Sequence, residues 1–343
     1  MGVQIRGLIS RKKVQLPSLN GRTIAIDAHN ALYQFLSIIR SYDGRPLMDK
    51  SGNVTSHLSG LLYRTANFIE FGMKPMYVFD GPPPLLKKKT IARRRDAKIK
   101  ARKQYAAAIK EGKLEDAKRY AQATAQLTTS MIHDAQRLLT LMGIPWMQAP
   151  SEGEAQIAYM AATGKVWAAA SQDYDALLFG ASRLLRNIAI TGRRKLPRKS
   201  VYIEVEPELV ELQNVLRELE ITREQLVIIG ILVGTDFNPD GIKGIGPKRA
   251  LALVKKYKTL PNVIKQFDAS LFPVDPIEIN DIFLQPPIQP DIELNWAQPN
   301  ANEILSFLCV ERDFSENRVQ SAIDKMQTAF YMQQSKPTLD TWF

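Results

Sequence analysis

Seven acidic residues, Asp27, Asp80, Glu152, Glu154, Asp173, Asp175 and Asp236, stand just beyond apolar or small-residue stretches that are far apart along the chain. If each stretch is a buried element ending at one shared edge, the acids converge, because open α/β sheets bind ligands beyond the carboxyl ends of their strands. Carboxylates gathered in this way raise one another's pKa unless an opposite charge lies between them. Oxygen-only ligation by carboxylate and water suits Mg²⁺ or Mn²⁺, whereas zinc calls for His or Cys. The three histidines, His29, His57 and His133, have no zinc-site spacing. Seven carboxylates carry more charge than two divalent ions neutralise directly, so some act through water or from an outer shell. Two ions ~4 Å apart activate water and stabilise the leaving oxygen of a phosphodiester. The chemistry expected is therefore phosphodiester hydrolysis, rather than sugar or acyl transfer.

Taken singly, each acid also has an ordinary explanation. In APSEGEAQIAYM, Ser151 with Glu154 reads as a capping box, and Glu152 and Glu154 favour a helix N-terminus. Asp173 and Asp175, in SQDYDALLF, read equally as loop or first-turn acids, and Asp27 and Asp80 as lone aspartates after strands. The joint occurrence after so many separate elements is what favours a site.

A second charge feature begins seven residues after Asp80. Lys87, Lys88, Lys89, Arg93, Arg94, Arg95, Lys98, Lys100, Arg102 and Lys103 face the single acid Asp96. The run is either a solvated polybasic segment or a cationic gateway that holds phosphate beside the acids. GIKGIGPKRALALVKK (241–256) places Gly241, Gly244 and Gly246 before a basic helix with Lys243, Lys248 and Arg249 nearby. Backbone N–H groups at such a helix start form a phosphate cradle, although a plain interhelical loop has the same composition. No Walker loop is matched there. Arg193, Arg194, Lys195, Arg198 and Lys199 fit either DNA binding or an exposed hairpin.

The elements that must position these residues are legible in outline. TIAIDA (23–28) and MYVFD (76–80) read as buried strands that end at an Asp, and VWAAASQD (166–173) as a weaker third. Helical spacing over 28–41 and 55–71, joined by the loop SYDGRPLMDKSGN, gives an α/β alternation and a mainly parallel sheet covered on both faces. Two helices that meet at Gly112 lack an apolar stripe and are expected to project from the body. Residues 204–220 read as a helix. Residues 222–233 read as a helix opened by Thr222 and Gln225 in capping-box spacing, or as a strand, since VIIGILV does not decide.

The chain has 343 residues, 45% of them hydrophobic, and a formal net charge of +11, which favours an anionic partner and nucleic acid above all. No stretch approaches the ~20 apolar residues of a membrane helix, and MGVQIRGLISRKKVQL has no signal-peptide core. The single Cys309 fits a reducing interior, so a cytoplasmic or nucleoid location is expected. Leu339, Trp342 and Phe343 stand on an otherwise polar tail, KPTLDTWF.

MGVQIRGLI, IAIDAHNALYQFL, YVFDGPPP, PSEGEAQIAYM, SQDYDALLFG, ILVGTDFNPDGIKGIGPKRAL and ERDFSENRV together resemble the flap endonucleases, most closely their archaeal members, over essentially the whole chain. The resemblance implies a PIN-like nuclease core, a helical arch and a C-terminal helical DNA-binding region. Its regions are an N-terminal nuclease part (1–108), the arch (82–130), an internal part (131–260) with a helix-two-turn-helix at 225–256, a helical part (261–330) and a clamp-binding tail (331–343). It implies that the seven acids hold two Mg²⁺, with Mn²⁺ able to substitute, that Lys87 and Arg94 contact the scissile phosphate, and that Tyr33 stacks a displaced base. Arg40 and Thr55 match contacts to a one-nucleotide 3′ flap. The glycine turn matches a duplex-gripping element that uses K⁺. The tail matches a sliding-clamp box, with Lys336 where glutamine is common and no lysine-rich extension, which favours an archaeal source. The implied activity is Mg-dependent 5′-flap endonuclease with 5′–3′ exonuclease action in DNA replication and repair, on flap or nicked branched DNA, by a monomer. The rivals are a non-catalytic junction binder, a bubble-cutting repair enzyme and a 5′ exonuclease. A bubble cutter carries a much longer insertion than the arch here.

Overall fold

In the computed structural model, residues 2–41, 44–113, 116, 120, 124, 126–189, 192–195 and 202–334 are described, with the backbone alone at 89, 192–195, 202–204, 333 and 334. A short β1 (Lys12–Lys13) precedes β2 (Thr23–Asp27), which runs directly into α1 (Ala28–Ile38); α2 (Ser56–Glu70) then leads to β3 (Lys74–Phe79). The basic α3 (Lys88–Lys110) is followed by α4 (Thr129–Leu141), β4 (Trp146–Gln148), α5 (Gly153–Ala162), β5 (Ala168–Ala170), α6 (Asp175–Leu178) and β6 (Arg183–Arg186). A hairpin of β7 (Gly192–Lys195) and β8 (Tyr202–Val205) comes next, then β9 (Glu208–Glu211), α7 (Leu212–Leu219), α8 (Arg223–Val233) and α9 (Pro247–Tyr257). The helices α10 (Leu260–Ile264), α11 (Pro276–Leu284), α12 (Ala301–Leu305) and α13 (Glu316–Gln334) follow.

The main sheet has the order β1-β9-β6-β5-β2-β3-β4, parallel from β6 to β4, with β9 antiparallel to β6 and β1 antiparallel to β9. Its central strands are apolar on both faces because helices cover both. Alternate residues therefore supply two cores. Ala25, Met76, Val78, Ala169 and Leu184 pack with α5, α8 and α9 on one face, while Ile24, Ile26, Tyr77, Phe79 and Ala170 pack with α1, α2, α4 and α13 on the other. The α/β architecture expected from the alternation of apolar runs is the one found. From β2 the chain crosses to β3 and β4 on one side and returns to β5 and β6 on the other, so the switch point lies at β2 and β5. A crevice at the carboxyl ends of these strands is the expected ligand position.

Several sequence expectations need correction. The segment 204–220 is not one helix: it begins in β8, continues through β9 and becomes helical only at Leu212. Val210 is buried and pairs with Leu184, so the sheet recruits a segment whose glutamates disguise its alternation. The third strand is shorter than VWAAASQD and covers only Ala168–Ala170. Residues 223–233 are helix, with Thr222 and Gln225 closing the capping box. The arch helix α3 carries few buried residues, Thr90, Ala101 and Ala108. Most of its expected partner helix beyond Gly112 lies outside the described residues, as do Arg198, Lys199 and the tail residues Lys336, Leu339, Trp342 and Phe343. Among the described residues, no helix is long and apolar enough to cross a membrane.

Candidate active site

The acids are delivered by the ends of the parallel strands. Asp27 closes β2 and caps α1, accepting the Asn30 N–H at 2.9 Å. Asp80 follows β3, and its Oδ1 accepts the Gly153 N–H at 2.7 Å, which ties the end of β3 to the start of α5. Glu152 and Glu154 flank that glycine. The expected Ser151 and Glu154 capping box does not form: the Ser151 hydroxyl donates to the Pro82 carbonyl, and Glu154 accepts from the Ser171 hydroxyl at 2.7 Å. Long-range partners thus displaced the local cap.

Asp173 and Asp175 follow β5 and are bound by the start of the chain. The N–H of Gly2 donates to Asp173 at 2.9 Å and that of Val3 to Asp175 at 2.7 Å. A side chain at Gly2 would meet the Asp173 Cβ at 2.6 Å, so only glycine allows this approach. Asp236 follows α8 and turns toward the arch. Its carboxylate accepts two bonds from Arg94, at 2.6 and 2.7 Å, and lies 3.3 Å from the Lys87 ammonium, while its carbonyl accepts from the Thr90 hydroxyl. Lys87 also contacts Glu152 and stands 5.6 Å over the Phe237 ring.

The electrostatics follow from this crowding. Burial, then the nearby Asp80, pushes Asp27 well above the ordinary carboxylate range. Burial, followed by Asp173 and Asp175, does the same to Glu154, and burial with Asp236 raises Asp175 to about 7. Burial raises Glu152 in spite of Lys87. Burial also opposes the charge on Asp236 and on Lys87, but there the ion pairs win: Lys87 and Arg94 lower Asp236, and Glu152 with Asp236 raises Lys87. Lys87 is therefore held charged between two carboxylates.

Hard oxygen donors on several converging segments, with Asp27, Glu152, Glu154 and Asp175 displaced upward, fit a divalent cation of the Mg²⁺ type. Among the described residues, no group of three or more His, Cys, Asp or Glu side chains is placed, as they stand, to hold a metal ion. The carboxylates are instead held by backbone N–H groups, Ser171, Asn30 and the two arch cations, so ligation requires side chains to rotate away from these partners.

The other expected contacts lie around this centre. Tyr33, on α1, is 36% exposed, and the Lys98 ammonium of the arch sits 4.9 Å over its ring. Arg40 and Thr55 are not brought to the acids. Arg40 lies beyond the C-terminus of α1, ~16 Å along the helix from Asp27, and its guanidinium donates to the Ser37 and Gly44 carbonyls. Thr55 is buried at the start of α2, and its N–H donates to the Leu47 carbonyl. At the glycine turn, Gly241 has φ +54° and a Cβ there would lie 2.4 Å from the Val233 carbonyl. Gly244 has φ +84°, and its carbonyl accepts from Arg249 at 2.9 Å. Gly246 caps α9 with no side-chain partner, and Lys243 and Lys248 are exposed beside it.

The sequence reading missed Gly2, Val3, Asn30, His29 and Ser171. His29 Nδ1 accepts the Asp80 N–H at 3.0 Å, and Ser171 links Asp27 (3.4 Å) to Glu154. The usable signals were the glycine at position 2 and the Ser-x-Asp spacing of 171 and 173.

The chain matches the XPG N-terminal domain over residues 1–101 and the XPG I-region over 143–236. It is 54% identical over 344 residues to flap endonuclease 1 of Thermococcus onnurineus, covering 100% of this chain and 99% of the relative. It is 50% identical over 349 residues to flap endonuclease 1 of Staphylothermus marinus, covering 100% of both. The solved structure of flap endonuclease-1 from Methanococcus jannaschii is similar at 41% identity and a TM-score of 0.77, over 97% of this chain and 100% of that one. Full-length identity at this level, together with a carboxylate cluster at the switch point of the sheet, makes this chain a member of the flap endonuclease family, nucleases that hydrolyse DNA phosphodiester bonds.

Proposed function

We propose that the protein cuts DNA beside the junction of single and double strand, releasing 5′ flaps in replication and repair with accompanying 5′–3′ exonuclease action, and leaving a 5′-phosphate and a 3′-hydroxyl. The observation that carries this reading is the meeting, at one sheet edge, of acids with raised pKa and two arch cations that already reach among them. Asp27, Asp80, Glu152, Glu154, Asp173, Asp175 and Asp236 are the residues that would hold two Mg²⁺ or Mn²⁺. Bound there, these ions supply Lewis acidity and lower the pKa of water.

Everything else falls to the chain. Lys87 and Arg94 leave Glu152 and Asp236 as the carboxylates turn inward, and their positive charge then faces the phosphoryl oxygens as negative charge develops. Two phosphate-directed cations on one helix also fix the scissile group, which converts binding into orientation. Tyr33 offers a face for a displaced base, at the cost of parting from Lys98. The amide groups of the turn at Gly241, Gly244 and Gly246, with Lys243, Lys248 and Arg249, grip duplex phosphates, and a K⁺ held by carbonyl oxygens of this element would add positive charge there. Arg40 and Thr55 are the residues that would contact a one-nucleotide 3′ flap. Lys336, Leu339, Trp342 and Phe343 dock a sliding clamp.

The test compares 5′-flap, nicked and bubble substrates in Mg²⁺ and in chelator. Metal-dependent cutting that prefers the flap is expected. DNA binding without cleavage in Mg²⁺ would instead identify a junction binder, and preference for the bubble would identify a different nuclease specificity.

A further inference from the structure

Where the antiparallel side of the sheet meets the acid edge, three arginines converge on the single carboxylate of Glu208, while Glu206 and Glu211 pair elsewhere with Lys13 and Arg183. Arg186 closes β6 and pairs in register with Glu208, the first residue of β9, so both stand at the edge where the acids gather. Arg186 is fully engaged: it donates to the Gln172 carbonyl at 3.1 Å, to the Tyr174 hydroxyl and to Glu208, and lies 4.0 Å over the Tyr174 ring. Glu208 also meets Arg6 and Arg11, each at 3.7 Å. Three guanidinium groups thus share a single carboxylate.

Arg6 and Arg11 are not consumed by these contacts. Beyond the long approach to Glu208, Arg11 has, among the described residues, only the Arg6 carbonyl at 3.3 Å and the Tyr174 hydroxyl at 3.5 Å, and the side chains of Arg6 and Arg11 are 66% and 29% exposed. A planar fork with free N–H donors and an unbalanced charge matches phosphate oxygens. The segment is anchored beside the acids, because Gly2 and Val3 hold Asp173 and Asp175 just ahead of it. In the sheet order, β2 and β5 separate this corner from β3 and β4, whose following loops carry Asp80 and Glu152 next to the arch.

We propose that Arg6 and Arg11 form a phosphate-binding subsite for the DNA backbone, across the acid cluster from Lys87 and Arg94. The inference rests on the DNA-cutting reading above. Its physical basis is that carboxylates repel phosphates, so a strand crossing them is held best by cations on both sides. Tyr174, positioned by Arg186, keeps Arg11 in place through its hydroxyl. The loop that carries Asp173 and Asp175 and the phosphate subsite therefore share one support.

The experiment measures equilibrium binding of a 5′-flap duplex in chelator, by fluorescence anisotropy across a salt series. The proteins compared are the parent, R6A/R11A, R6K/R11K and K165A. Lys165 precedes β5 at the opposite end of the sheet, where it donates to the Pro290 carbonyl, and its loss reads the effect of one positive charge removed away from the subsite. R6A/R11A is expected to bind more weakly, with a salt slope shallower by about 0.9 for each phosphate no longer neutralised. R6K/R11K should regain most of the slope, and K165A should match the parent; an unfolded double alanine variant would be seen in its thermal midpoint, in which case the single variants carry the comparison. A slope for R6A/R11A equal to that of the parent overturns the subsite alone. A parent that fails to bind the flap duplex overturns the DNA-cutting reading, and the subsite with it.

Discussion

Carboxylates in two regions of this molecule meet opposite fates. In the turn that leads into α13, Glu311 accepts two bonds from Arg137, at 2.7 and 2.8 Å, and Asp313 accepts the Lys50 N–H at 2.7 Å; hydrogen bonds from these partners hold both acids below their ordinary range. At the carboxyl edge of the sheet, burial and mutual repulsion hold Asp27, Glu154 and Asp175 above it. Exposed pairs are solvated and complete in themselves. The sheet edge is incomplete without further positive charge, and that difference separates an ion pair that decorates a surface from a cluster built to hold cations.

The comparison can be broken most decisively by chemistry. Asp175→Ala is expected to lower single-turnover flap cleavage by at least roughly 10³-fold, beyond the 10–100-fold typical of losing an outer-shell partner, while anisotropy shows DNA binding kept. Arg94→Ala, which removes a cation from the same centre, should cost roughly 10²–10³-fold in the same assay. Parental rates for either variant would remove it from the mechanism.

Stability sharpens the contrast further. Mg²⁺ at a hundredfold excess over its Kd should stabilise the protein by about 2.7 kcal/mol in thermal scans, and Glu154→Gln should reduce that gain, whereas Glu311→Gln should retain it. In chelator, Asp175 contributes the reverse of an ordinary pair. Its folded pKa of about 7 exceeds the ordinary aspartate value of 3.8, so the stability it lends is complete below 3.8 and is lost as pH rises through about 7. Denaturant titrations should show Asp175→Asn flattening that decline. The smallest effect belongs to the surface: Glu311→Gln should cost no more than about 1 kcal/mol in urea unfolding, because that exposed pair is screened by solvent.

Much of this was legible in the residues. The strands at 23–27 and 74–79 and the acids that end them could be read because an apolar run buried on both faces needs no partner to declare itself. The segment 202–211 could not, since its strand character depends on β6 lying alongside and its glutamates break the apolar pattern. The Ser151 and Glu154 cap failed for a related reason. Gly153 finds Asp80, 73 residues away, and Glu154 finds Ser171, and neither partner is visible to local spacing. The hold of Gly2 and Val3 on Asp173 and Asp175 crosses 171 and 172 residues and belongs to the same class. Spacing revealed what each acid follows; only the fold revealed what each acid touches.

Anomalous diffraction from crystals soaked in Mn²⁺ tests the central claim most directly. Two manganese peaks ~4 Å apart are expected among Asp27, Asp80, Glu152, Glu154, Asp173, Asp175 and Asp236, with Lys87 displaced from Glu152. Manganese found only at outer carboxylates such as Glu311 or Asp313, with Lys87 still seated on Glu152, would contradict the account.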